Sequence, residues 1–161
     1  MMSDRQRLAD IKEILELLEE KLGEFEKELA TSASIPAKFE LKHKIKREIL
    51  PDIRRYEAEY WELYPIETII ISNEEAETQL AKVEQAVESM QRIPQTAEYP
   101  PELIRLLQDI RAKLDEGDKA ASAKLKVTLP LIPLLASYEL EMDTEGVMHK
   151  TWKTIKRLVR R

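Results

Sequence analysis

The chain has no cysteine, three glycines and two histidines among its 161 residues. Without cysteine there is no disulfide framework, thiolate zinc site or cysteine nucleophile. Three glycines are too few for a dinucleotide-binding fingerprint, a phosphate-binding loop or a series of tight β-turns. His43 and His149 leave little material for metal or acid–base chemistry, so no metal, cofactor or catalytic residue is expected. No apolar run is long: Val127 to Ala136 is about half of the roughly 20 residues that a membrane-spanning helix needs. The first ten residues are polar and charged, which does not match a signal peptide. The sequence reads as soluble and cytoplasmic, with peripheral membrane association as the variant reading.

What is abundant is charge, with 26 Lys and Arg and 31 Asp and Glu. High charge with few glycines and aromatics points to helices. The net charge of −5 hides a division. Lys150 to Arg161 holds six basic residues and no acidic one, so the chain before it carries −11. An acidic body with a basic tail fits partner binding better than catalysis.

Leu8, Ile11, Leu15, Leu18, Leu22, Phe25 and Leu29 alternate spacings of three and four, a heptad seam. This predicts a first helix over Asp4 to Ala30, capped by Ser3 or Asp4. Thr31 to Pro36 breaks the pattern, and Pro36 near a first helical position signals a second helix, from Ala37 to about Leu63. Its apolar positions are Phe39, Ile45, Ile49, Ile53, Tyr56, Tyr60 and Leu63. Pro51 is expected to kink or restart it. Ile66 to Ile71 reads as a connector or an isolated extended segment. Ser72 and Glu75 form a capping box for a third helix with the seam Ala76, Leu80, Val83, Val87 and Met90. After a loop over Pro94 to Pro101, Pro101 opens a fourth helix stopped by Gly117. Asp118 is expected to cap a short helix through Ala120, Ala121, Leu125 and Val127. Pro130 and Pro133 forbid one continuous helix across the following apolar segment. Tyr138 to Asp143 fits a strand by alternation, or a helical turn by length. A final helix, capped by Asp143 or Thr144, has the apolar stripe Met148, Trp152, Ile155 and Val159.

The fold expected is all-α: an antiparallel, coiled-coil-like hairpin packed with further helices into a bundle, with a C-terminal amphipathic helix. Three regions follow: the hairpin over 1–65, a helix pair over 66–117, and the proline-containing apolar segment with its basic tail helix over 118–161.

Two regions are candidate binding surfaces. Between Glu13 and Glu28 there are seven glutamates against two lysines, whereas Lys38 to Arg47 carries five basic residues against one glutamate. In an antiparallel hairpin these stretches lie side by side. They serve either complementarity within the chain or pairing between copies and with related modules, through Lys38, Lys42, Lys46 and Arg47. In the tail, Lys150, Trp152, Lys153, Lys156, Arg157 and Arg160 make a basic amphipathic helix. Its stripe packs on this protein's own core, docks into a partner's groove, or lies on an anionic membrane. Nucleic acid is not expected as a partner, because the acidic body would repel a phosphate backbone. Glu139, Glu141, Asp143 and Glu145 lack calcium-loop spacing and read as a solvated acidic face. Tyr56, Tyr60, Trp61 and Tyr64 read as a core plug or a contact surface.

The stretch Glu28 to Arg47, following a leucine-rich helix, resembles the small helical hairpin modules of cyanobacterial conflict and signalling proteins called effector-associated domains. Ala123 to Glu145, with the tail from Trp152, looks like a segment that accompanies such modules; Tyr99 to Ile104 adds to the likeness. The resemblance implies a non-enzymatic adaptor that couples STAND-type NTPases, TIR or caspase-like effectors by homotypic contacts. The chain itself contains no NTPase, TIR or protease domain, so a stand-alone module or a fragment is expected. The alternative is a membrane-acting helical effector using the 127–136 segment and the basic tail.

Overall fold

The computed structural model describes residues 3–92, 100–142 and 146–159. These residues form eight α-helices and no strand, which makes the chain an all-α bundle. It divides into two compact units, Met1–Tyr64 and Pro65–Arg161. The expected helix pair and the C-terminal segment thus fall within one unit.

In the first unit, α1 (Asp4–Thr31) begins where the Ser3 hydroxyl accepts the Gln6 N–H. Its heptad seam buries Ile11, Leu15 and Leu22 against α3 (Leu50–Leu63). α2 (Ile35–Lys44) starts behind an Ser34 cap with Pro36 in its first turn, where a missing N–H costs nothing. Between α2 and α3 the chain widens into a π-turn over Ile45–Ile49, and the Leu50 N–H reaches back to the Ile45 carbonyl. Pro51 accounts for the position of this turn. In an unbroken α-helix its ring would crowd the Arg47 carbonyl and leave it unbonded, and one surplus residue relieves both.

That surplus residue also shifts the helical phase by about 100°. Phe39, in step with Ile53 by α-helical counting, consequently stands 70% exposed. This corrects the expected apolar face of the second helix. Ile45, Ile49, Ile53 and Tyr60 are buried as the periodicity requires. Tyr60 and Trp61 plug the core edge-to-face, with centroids 4.9 Å apart. Beside them Glu57, only 1% exposed, accepts the Trp61 indole N–H at 2.9 Å.

The second unit opens with a 3₁₀ turn at Ile66–Thr68. Ser72 then caps α4 (Asn73–Arg92) by accepting the Glu75 N–H at 3.1 Å. α4 buries Ala76, Val83, Val87 and Met90 as its pattern predicts, with Gln79 and Ala86 also buried and Leu80 only half-buried. The expected 94–101 loop lies, up to Tyr99, outside the described residues. α5 (Pro101–Leu114) ends at Asp115, and Gly117 keeps a negative φ, so it is not the left-handed stop the sequence led one to expect. α6 (Ala121–Thr128) follows an Ala120 cap that offers no side chain. Its Ser122 N–H is instead taken by the Asn73 side-chain oxygen at 3.0 Å, from the start of α4. Asp118 therefore does not cap it. The two prolines separate α6 from α7 (Ile132–Glu141), whose helical course rules out the strand reading of Tyr138 onward. α8 (Val147–Val159) packs against α7 and α4.

Candidate functional site

The two basic helices singled out by sequence sit in opposite circumstances. α8 buries Met148, Thr151, Trp152, Ile155 and Val159; Trp152 is 4% exposed. Its stripe belongs to the core of its own unit, so Trp152 holds the helix down and offers no face to a partner. Lys150, Lys153 and Arg157 stay exposed and Lys156 half-buried, whereas Arg160 lies outside the described residues. The 127–136 segment is likewise interior: Leu129, Ile132, Leu135 and Ala136 are buried. Among the described residues no helix is long and apolar enough to cross a membrane.

The start of α8 rests on a residue that the sequence reading misplaced. Glu139, expected on a solvated acidic face, is 2% exposed. One of its carboxylate oxygens accepts the Met148 N–H at 2.9 Å and the other the His149 N–H at 3.0 Å. These are two of the N–H groups that a helix start leaves without partners, and the negative charge complements the positive end of the helix dipole. Burial pushes the Glu139 carboxyl above its ordinary range; the two N–H donors and Lys150 pull it back. Gly146, at φ +75°, turns the chain into α8 and accepts the Lys150 N–H with its carbonyl. The expected caps Asp143 and Thr144 lie outside the described residues, as does the Asp143 and Glu145 half of the acidic group.

α2 buries none of its ten side chains. Ile35 is 81% and Phe39 70% exposed, and the Phe39 ring stacks on His43 with centroids 6.3 Å apart. Lys42 and Arg47 are exposed, Lys38 and Lys46 half-buried. With spacings of three and four, Ile35, Lys38, Phe39 and Lys42 share one helical face. The opposite face, Ala37, Glu40, Leu41 and Lys44, lines an open groove of about 440 Å³ with Glu28 and Thr31 of α1 and the Ser32 that follows it.

α1 also carries a second stripe. Glu13, Leu17, Glu20 and Glu24 recur at three and four, on the side away from the buried seam, and all four are exposed; Leu17 is 61% exposed. At the open end of the hairpin Arg7 and Glu59 form a two-pronged ion pair, with contacts of 2.6 and 2.9 Å. This bond holds the Glu59 carboxyl below its usual range and raises the Arg7 guanidinium. The charge matching read from sequence concerned the closed end and did not anticipate this pair.

The arrangement is suited to binding by helix faces: a cationic apolar ridge on α2 and an acidic ridge with one exposed leucine on α1. Comparison with protein-family models, with curated proteins and with solved structures finds no match to this chain.

Proposed function

We propose that the chain is a non-enzymatic interaction module that docks a protein partner on the outward face of α2. One observation carries this reading. Ile35 and Phe39 are 81% and 70% exposed on a helix that buries nothing, with Lys38 and Lys42 on the same face. Large exposed apolar side chains rimmed by charge mark interaction sites, and aromatic anchors supply much of the energy at such sites. The adaptor role implied by the likeness to effector-associated domains agrees with it. The burial of Leu129, Ile132, Leu135 and the α8 stripe supports this reading over the membrane alternative, of whose working parts the tail cations Lys150, Lys153 and Arg157 stay exposed.

The test is site-specific photocrosslinking in the cells that make the protein, with Phe39→benzoylphenylalanine and, as control, the same substitution at the exposed Lys82 of α4. A discrete protein adduct from position 39 and none from position 82 is the expected result. Failure of position 39 to capture any protein, with flotation on phosphatidylserine vesicles abolished by Phe39→Asp, would assign the face to lipid instead.

A further inference from the structure

We infer that the partner of the α2 face is the acidic face of α1 in a second copy of this chain, joined head to tail so that assembly is open-ended. The inference rests on the docking reading above and names the partner. Three observations lead to it. The two faces are charge-complementary and each carries exposed apolar side chains: Leu17 on α1, Ile35 and Phe39 on α2. The chain already packs α1 against α2 within itself, so the pairing of an acidic with a basic helix is one this sequence supports. The faces also look away from each other. The α1 stripe opposes its buried seam, and the α2 ridge opposes the Leu41 side that meets α1. One neighbour cannot cover both. A self-complementary dimer needs both halves of its patch on one side, whereas opposed complementary faces give heterologous contacts, which close into rings or extend as filaments.

The hairpin also sets the stagger. It turns at about residue 33, so Leu17 lies level with residue 49, ten residues beyond Phe39. Bringing Phe39 of one copy against Leu17 of the next therefore slides neighbours by about 15 Å along the hairpin axis. In that register Lys42 falls beside Glu13 and Lys38 beside Glu20. Each exposed pair adds little affinity, but together they fix register and reject like-charged faces.

Sedimentation and light scattering of the purified full chain test this. The wild-type mass should climb past that of a dimer with concentration and fall as salt is raised. Lys38→Glu with Lys42→Glu makes both faces acidic; Glu13→Lys with Glu20→Lys makes both basic. Each double variant alone should associate roughly a hundredfold more weakly, at constant helicity, because like charges then meet. An equimolar mixture should regain association, as should the chain carrying all four reversals. The Lys38→Glu, Lys42→Glu variant keeps its α1 face, so a small amount added to wild type should stop growth and lower the mean mass. A wild type that stays monomeric, stops at a dimer, or is not rescued in the mixture overturns the inference. A monomeric chain whose position 39 still crosslinks to another protein removes self-assembly and leaves docking in place. A monomeric chain with no adduct removes both.

Discussion

α2 and α8 are the two basic helices of this molecule, and by composition they are near equivalents. Their packing separates them. α8 spends its apolar stripe on its own unit, with Trp152 and Ile155 at 4% and 0% exposure; α2 leaves Ile35 and Phe39 outside. A basic amphipathic pattern therefore does not say whether its apolar half is free. What decides is whether another element of the same unit covers that half, and α4 and α7 do so for α8.

The strongest way to break the comparison is to delete the large side chain from each helix. Trp152→Ala should cost the second unit about 3–5 kcal/mol, the usual price of emptying a core site of that size. Phe39→Ala should change stability by less than about 0.5 kcal/mol, as for other surface positions. Denaturant unfolding followed by hydrogen exchange in each unit reads both; a large cost at Phe39 would mean that the α2 ridge is covered within the chain.

A second, smaller effect concerns how α8 is anchored. Glu139→Ala leaves the Met148 N–H buried without an acceptor, for about 1–3 kcal/mol. Exchange should rise first at the N-terminal turn of α8. Uniform exchange along the helix would show that the stripe alone fixes its start.

The smallest effect is a difference in sign with pH. Glu59 is held below its ordinary range, so its contribution to the first unit is present above about 4.5 and is lost as pH falls through the lowered value. Glu139 is raised, so its contribution is present below about 4.5 and is lost as pH rises through the raised value. The stability advantage of wild type over Arg7→Ala should therefore shrink on acidification. The difference between wild type and Glu139→Gln should move in favour of wild type as pH falls from 7. Melting of the variants across pH 3–7 measures both, and equal slopes would remove the contrast.

Much of the scaffold is legible in the sequence because its causes are local. The α1 seam, the helix start at Pro36, the Ser72 cap and the break at Pro130 and Pro133 depend on residues a few positions apart. The candidate site was half legible: charge marked Lys38 and Lys42, but nothing local showed that α8 would be covered while α2 would not. Asn73 capping α6 needs two chain segments 49 residues apart to meet. Glu139 stands in an acidic run, and its burial depends on α8 starting against it nine residues later, which no local pattern shows. The exposure of Phe39 is not legible because α-helical periodicity does not hold across a segment with one residue too many.

That surplus residue has a genetic consequence. The face that α2 shows to its surroundings is encoded by a length as well as by the identity of Ile35 and Phe39. Loss of a single codon between Ile45 and Ile49 would turn the ridge by about a quarter of a revolution while leaving every ridge residue unchanged. Related chains that differ there by one position would present different surfaces from nearly the same text.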